Sequence, residues 1–420
     1  MRRRLSTVCQ LWRELIFGDA NVWNIIHAPA IDQDSLQHFL RTLKLSKQAP
    51  LDVYLNLSRY STHQEISRDF LLPIVAAVGR LRTLVVSTSS PEAIRCIFPS
   101  HTRSECPVLQ TLRIESHLQN YGSLFRFGFS NTPPTFTIDA PNLSELILDE
   151  CSSYVFQALT PRSLAKILSL ALEPLGPSSS FLTLINSCSN IVELGWTECA
   201  EDDRMLAVPN VTLQSLKKFD FSQYYPSGQF ILGLLGKLQM PQLQYLFLRR
   251  SQDTQDISLE TIPLLLSGND FILKELYLRG VHFFDGDIAN LATCMKGLRH
   301  LQFDDCVFSN GTVTLERLWK TGLDEELCFP ALLRLILARS VPPFYFPNLV
   351  KLMESRITRD EDLHPNDIPG KTVALLDISY EWIAERSLRP ALDQYERSCV
   401  YDPKQKEEYV ISIVLLGNVN

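Results

Sequence analysis

The sequence predicts an α/β solenoid, a stack of short parallel strands on a concave face with helices outside. Three observations carry that expectation. An apolar phrase with residues at offsets 0, 3 and 5 recurs along most of the chain, and stripes of helical spacing lie between its copies. The chain, at 420 residues, is also too long to fold around one conventional core. A single strand plus helix cannot bury its own apolar face, so neighbouring units must stack and share a continuous core, and the stack bends into a horseshoe.

The phrase has the form L-x-x-L-x-L. Its copies begin at Leu81 (LRTLVV), Leu109 (LQTLRI), Leu143 (LSELIL), Ala165 (AKILSL) and Ile191 (IVELGW). They continue at Leu216 (LKKFDF), Leu243 (LQYLFL), Leu273 (LKELYL), Leu298 (LRHLQF) and Leu332 (LLRLIL). Successive starts lie 22 to 34 residues apart. The pattern resembles leucine-rich repeats, whose period is roughly 20 to 29 residues. The apolar residues at offsets 3 and 5 lie two apart, as a strand with one buried face requires, so each phrase supplies one strand. Between phrases the period becomes helical: Phe181, Leu184, Ile185 and Cys188; Ile231, Leu234, Leu235 and Leu238; Ile288, Leu291, Ala292 and Met295.

Cys151, Cys199 and Cys306 all fall at offset 8, the turn after the strand. Leucine-rich repeats usually carry a buried Asn or Cys there, so the resemblance implies structural thiols. The ten cysteines contain no Cys-x-x-Cys, which suggests neither a zinc site nor a compact disulfide framework and points to a reducing cytoplasm or nucleus.

Near the start, Val8, Leu11, Trp12, Leu15 and Ile16 form one helical face, and Val22, Trp23 and Ile25 a second apolar cluster. The segment V-C-Q-L-W-R-E-L (8–15), with Val22 and Trp23 after it, resembles the second half of an F-box, where V-C-x-x-W-R-x-L precedes an L-W. A short helix (Leu36, Phe39, Leu40, Leu43), Pro50 and the strand L-D-V-Y-L-N-L (51–57) follow, again similar to fungal F-box proteins. The resemblance implies a substrate receptor of a Skp-cullin-F-box ubiquitin ligase. Val8, Leu11, Trp12, Leu15, Val22 and Trp23 would hold the ligase adaptor, and the solenoid would hold an unidentified protein substrate. The family's opening L-P-x-E-I-L has no counterpart in the seven residues before Val8, so the match is to an incomplete F-box. From the residues alone, the same helix also reads as an amphipathic cap on the open end of the stack.

The expected organisation is a partial F-box with its linking helix (1–48), the solenoid (49–350), and a loop with a C-terminal cap (351–420). Within the last part, the polar segment 358–370 reads as a loop. Val373, Leu376 and Ile378 repeat the strand spacing, and 380–399 with 409–416 would supply a helix and a closing strand.

The formal net charge of -7 argues against nucleic acid as a partner, since no strongly basic face is available. No apolar run approaches the roughly 20 residues that cross a bilayer, so no membrane partner is expected. The chain lacks H-E-x-x-H, G-x-x-x-x-G-K-[ST], G-x-G-x-x-G after a strand and G-x-S-x-G, and its eight histidines are dispersed. We therefore expect no catalytic residues, no metal and no cofactor. The carboxylate pairs Asp149/Glu150, Asp202/Asp203 and Asp304/Asp305 read as solvated surface charge.

In a parallel horseshoe, offsets 2, 4 and 6 line the concave face, with 7 at the rim. Glu145, Ile147, Asp149 and Glu150, then Glu193, Gly195, Thr197 and Glu198, make an acidic stretch. The sign then reverses: Tyr245, Phe247, Arg249 and Arg250 face outward from one phrase, and Glu275, Tyr277 and Arg279 from the next. Tyr, Phe and Arg combine contact area with hydrogen bonding, so this cluster is the expected partner-binding surface. Phe247 and Tyr277 can equally be read as a cross-strand packing pair beside solvated arginines. Two other functional readings stand beside the ligase receptor: a repeat scaffold or inhibitor with no ubiquitin role, and an enzyme whose groups converge only in three dimensions.

Overall fold

The computed structural model describes residues 9–28, 33–57, 68–88, 91–99, 102–115, 135–149, 154–172, 185–198, 210–223, 238–250, 273–283, 291, 295–304, 306–308, 334–338 and 375–378. The chain divides into two compact units, Met1–Ser215 and Leu216–Asn420. The first combines helices with a parallel sheet, and the described elements of the second are strands, most of them in a parallel sheet.

The first unit opens with α1 (Gln10–Gly18), a 3-10 turn (Ala20–Trp23), β1 (Ile25–Ala28), α2 (Gln33–Leu45), β2 (Leu51–Asn56), α3 (Arg68–Ala76) and β3 (Leu81–Ser87). It continues through α4 (Pro91–Ile97), β4 (Arg103–Glu105), β5 (Thr111–Glu115), β6 (Thr137–Asp139) and β7 (Glu145–Leu148). Then come α5 (Tyr154–Ala158), α6 (Pro161–Leu164), β8 (Ser169–Leu172), β9 (Glu193–Glu198) and β10 (Val211–Thr212). β1, β2, β3, β5, β7, β8 and β9 lie side by side in that order, every pair parallel. β4 and β6 pair separately, also in parallel.

The second unit contains β11 (Lys218–Gln223), β12 (Leu238–Gln239), β13 (Tyr245–Arg250), β14 (Glu275–Arg279) and β15 (His282–Phe283). β16 (His300–Asp304), β17 (Val307–Phe308), β18 (Arg334–Ala338) and β19 (Leu375–Ile378) follow. Its sheet runs β11, β13, β14, β16, β18, β19, all parallel. β19 is the strand expected from Val373, Leu376 and Ile378, and it pairs Leu376 with Leu335.

The register explains why the phrase must repeat with that spacing. Leu84 aligns with Leu112 and Leu112 with Leu146, while Val86 aligns with Ile114 and Ile114 with Leu148. All are buried. Phe219, Leu246, Leu276 and Leu301 make the corresponding row in the second unit, with Phe221, Leu248, Leu278 and Phe303 beside it. Because side chains alternate with a period of two, a slip by one residue would drive both buried rows to the other face, so the apolar pattern pins the register.

A recurring turn delivers the chain into each strand. The N–H at offset 0 donates to the carbonyl three residues earlier: Leu109 to Cys106, Leu143 to Ala140, Ile191 to Cys188, Leu243 to Met240 and Leu298 to Met295, at 3.0–3.2 Å. Those carbonyl residues are themselves buried. Pro107, Pro141 and Pro241 stand second in three of these turns, where the ring's fixed φ suits the geometry. Asparagine side chains tie neighbouring turns, Asn142 Nδ2 donating to Pro107 O at 2.6 Å and Asn190 Nδ2 to Ala165 O at 2.7 Å.

This turn corrects one phrase. The copy expected at Ala165 begins instead at Ile167, whose N–H closes on Leu164 O at 3.2 Å. Leu170 and Leu172 align with Leu146 and Leu148. Leu168, expected inside, is 47% exposed. A second correction concerns Leu238, assigned to a helical stripe but found in β12. Phe181, Leu184, Ile231, Leu234, Leu235, Ile288 and Ala292 lie outside the described residues.

At the N-terminus the cluster Val22, Trp23, Ile25 resolves into the lead-in to β1. Ile26 aligns with Val53 and Ala28 with Leu55, so Trp23 holds offset 0 of a further strand phrase and is buried accordingly. β1 lies before position 48 and β2 after it, and the two are hydrogen-bonded neighbours. Arg80, just before β3, holds the segment between α2 and β2: its Nη2 donates to Ser46 Oγ at 2.8 Å and to Ala49 O at 3.0 Å. Asp52 on β2 pairs with Arg82 on β3, with Arg82 Nε at 2.9 Å.

Cys306 is buried, its thiol directed at Leu278 O 3.3 Å away. Cys151 and Cys199 lie outside the described residues. Cys106, unassigned in the sequence, and Cys188, expected there on a helical stripe, are buried residues of the recurring turn, and burial pushes each thiol up to about 12. Among the described residues no helix is long and apolar enough to cross a membrane.

Candidate protein-binding surfaces

The aromatic and arginine residues expected on the concave face are brought together on β13 and β14. Tyr245 aligns with Glu275, Phe247 with Tyr277, and Arg249 with Arg279. Their neighbours at offsets 3 and 5, Leu246, Leu248, Leu276 and Leu278, are buried, so strand alternation turns this second set to the opposite face. The Phe247 and Tyr277 rings lie 5.9 Å apart, tilted by 37°. The packing pair anticipated as one reading is therefore present, and it forms a floor rather than excluding a surface. Arg250 ends β13, and its side chain lies outside the described residues.

Flanking strands supply charges that the sequence reading left out. Arg249 Nη2 donates to Asp220 Oδ2 on β11 at 2.9 Å, and its guanidinium carbon stands 5.6 Å from the Tyr277 ring centroid. Lys218 Nζ stands 5.8 Å from the Phe247 ring. On the other side, Tyr277 Oη donates to Asp304 Oδ2 on β16 at 2.9 Å, with Arg279 Nε 3.6 Å from the same oxygen. His300 Nδ1 and Glu275 Oε1 are 2.8 Å apart. Reading offsets 2, 4 and 6 from Leu216 and Leu298 names Lys218, Asp220, His300 and Asp304, so the signal was available in the same register.

The electrostatics follow from depth. Burial pushes the Asp220 carboxyl up, against the opposing pull of Arg249 and Lys218. Burial and the bond to Asp304 push the Tyr277 phenol up to about 12. The arginine side chains are 45% and 41% exposed, whereas their partners Asp220 and Asp304 are 28% and 10% exposed. The cations therefore form the outer layer and the carboxylates the inner one. The reading of the Asp149 and Asp304 positions as solvated charge is corrected, since both residues are buried. Asp304 is covered by the tyrosine and arginine that bond to it.

A different kind of surface occurs on α1 of the first unit. Leu11, Trp12 and Leu15 are 64%, 46% and 57% exposed, while Ile16 is buried. Their spacing, i, i+1 and i+4, puts them on one side of the helix. Val8 lies outside the described residues, Val22 is half-buried, and Trp23 is in the core. The Trp23 indole Nε1 donates to Ile16 O at 2.6 Å, and its ring stacks on Phe17 at 5.5 Å. Arg41 from α2 approaches the other ring of that stack, 6.0 Å from the Phe17 centroid.

Among the described residues no group of three or more His, Cys, Asp or Glu could hold a metal ion. No family model matches the chain, and no curated protein matches it.

Proposed function

We propose that this chain is a leucine-rich-repeat solenoid acting as the substrate receptor of a Skp-cullin-F-box ubiquitin ligase, in the cytoplasm or nucleus. Leu11, Trp12 and Leu15 of α1 bind the adaptor, and the sheet face around Phe247 and Tyr277 captures the protein to be ubiquitinated. One observation carries the first half of this reading: a short helix turns three large apolar side chains to the surface at the positions where the F-box resemblance implies adaptor contact. Large apolar side chains grouped on one exposed helix face mark interaction sites, because leaving them in water forgoes about 1.5–3 kcal/mol each. Sheet strands that lie side by side in the order of the sequence, with short strands between some of them pairing separately, support the solenoid, since stacked strand units produce that order.

The test is co-expression with a Skp-type adaptor. The wild-type chain is expected to co-elute with it, and Leu11→Asp with Leu15→Asp to abolish co-elution while leaving the circular dichroism unchanged. A wild-type chain that never co-elutes overturns the receptor reading.

A second reading, a repeat scaffold or inhibitor with no ubiquitin role, is favoured by Trp23. That residue is committed to the core through its bond to Ile16, so one of the six expected adaptor contacts is unavailable to a partner.

A further inference from the structure

Arg249 and Arg279 are register partners on adjacent parallel strands. Their backbones are therefore only about 4.8 Å apart, and both side chains rise from the same face. Like charges set directly opposite one another cost stability. Here the cost is offset from outside the pair, by Asp220 beyond β13 and by Asp304 beyond β14, and among the described residues no ion pair places a carboxylate between the two.

A guanidinium carries five N–H donors in a planar fork. The contact with Asp220 uses one nitrogen of Arg249, and the contact with Asp304 is made through Nε of Arg279. The cluster is close to neutral in formal charge, but around the two arginines the carboxylates of Asp220 and Asp304 are recessed and the guanidinia stand outermost. An approaching group therefore meets donors first. Beside them lies the Phe247 and Tyr277 ring pair, which offers apolar contact.

We infer that this surface takes an acidic peptide segment of the partner protein, with an Asp or Glu carboxylate bridging Arg249 and Arg279 and an adjacent apolar side chain resting on Phe247 and Tyr277. This rests on the reading of the same face as the substrate-capturing surface. A carboxylate between the two forks converts a like-charge pair into two charge-assisted, potentially bidentate contacts. A basic segment would meet the arginines head-on, and a neutral apolar one would leave their donors desolvated, so charge selects the partner as well as attracting it.

The experiment is selection of a phage-displayed library of random peptides against the full chain without adaptor, followed by fluorescence anisotropy with the enriched peptides in synthetic form. Enrichment of Asp or Glu beside an apolar residue is expected. Replacing that acid in the peptide by its amide should weaken binding to the wild-type chain at least about ten-fold. The protein double variant Arg249→Gln, Arg279→Gln should do the same, while Arg162→Gln, Lys166→Gln, which removes equal charge elsewhere, should not. The peptide substitution needs no protein variant, so a folding defect in the double mutant does not blur the result. No enriched peptide, enriched peptides without an acid, or equal affinity for acid and amide overturns the inference. Loss of acid selectivity while the adaptor still co-elutes overturns it alone; acid selectivity without adaptor co-elution overturns only the ligase reading.

Discussion

Tyr277 on β14 donates its phenolic hydrogen to Asp304 on β16 at 2.9 Å, and that bond spans two neighbouring strands of the second unit. It gives a recessed carboxylate a donor from the neighbouring strand. Tyr277→Phe keeps the ring floor under Arg249 and removes only the hydroxyl. Loss of one hydrogen bond to a charged group costs about 1.5–3 kcal/mol. The urea midpoint of the variant should fall accordingly with the slope unchanged; a midpoint equal to wild type would show that solvent replaces the hydroxyl freely.

Ile167 and Leu168 separate two registers that the sequence spacing allows. With Ile167 buried and Leu168 half-exposed, Ile167→Ala should destabilise by about 2–4 kcal/mol through transfer and cavity costs. Leu168→Ala should stay within about 0.5 kcal/mol. Chemical denaturation of the two variants decides, and the reverse order of effects would restore the register starting at Ala165.

That pair also shows what a sequence can and cannot reveal. Strand phrases were readable because one buried face imposes a period of two on Leu146 and Leu148, or on Leu276 and Leu278, whatever the rest of the repeat does. In A-K-I-L-S-L-A-L the spacing fits from Ala165 and from Ile167 alike. The choice falls to a backbone turn closing on Leu164, which side-chain periodicity does not record. In the sequence Trp23 stands only in an apolar cluster with Val22 and Ile25, because its strand phrase, W-N-I-I-H-A, is short and carries Ala28 where other phrases carry a large residue. The depth of Asp304 depended on a tyrosine from the preceding repeat, 27 positions away. The aromatic and arginine cluster itself was half legible: offsets within two phrases named its aromatic and arginine members, and the flanking carboxylates needed the same offsets carried into the neighbouring phrases.

Trp23 fastens α1 to the first strand through Ile16 O, 2.6 Å from its indole nitrogen. Trp23→Phe retains an aromatic ring to stack on Phe17 but strands that carbonyl, so a loss of about 1–3 kcal/mol is expected. Because α1 carries Leu11, Trp12 and Leu15, the proposed receptor role predicts that the same variant weakens adaptor co-elution more than Asn21→Ala, an exposed change in the same 3-10 turn. Equal co-elution of the two variants would dissociate the helix anchor from adaptor binding.

Asp52 sets an acid-side dependence of stability. The hydrogen bond from Arg82, above all, holds its carboxyl below the ordinary value of 3.8, against burial. The folded chain therefore binds that proton more weakly than the unfolded chain. The resulting stabilisation is complete above the unfolded value and disappears as pH falls through the lower folded one. Asp52→Asn should lower the thermal midpoint at pH 7, and the gap from wild type should narrow below about pH 4. A gap that stays constant from pH 7 to pH 3 would mean that the ion pair contributes nothing to this dependence.

Four of the five described cysteines should divide sharply in reactivity, Cys96 being of intermediate exposure. Cys9 is exposed, whereas Cys106, Cys188 and Cys306 are buried. Burial pushes the Cys106 and Cys188 thiols up to about 12, so at pH 8 almost no thiolate exists at either, and the thiolate is the reacting species. Each also sits under a recurring turn, so alkylation requires that repeat to open. Brief iodoacetamide treatment at pH 8 followed by peptide mass mapping should label Cys9 and spare the other three. Adding urea should bring Cys106 and Cys188 into reaction together with loss of the circular dichroism signal, because both turns close onto strands of one sheet. Labelling of Cys188 well before the global transition would instead show that the β9 repeat opens independently of its neighbours.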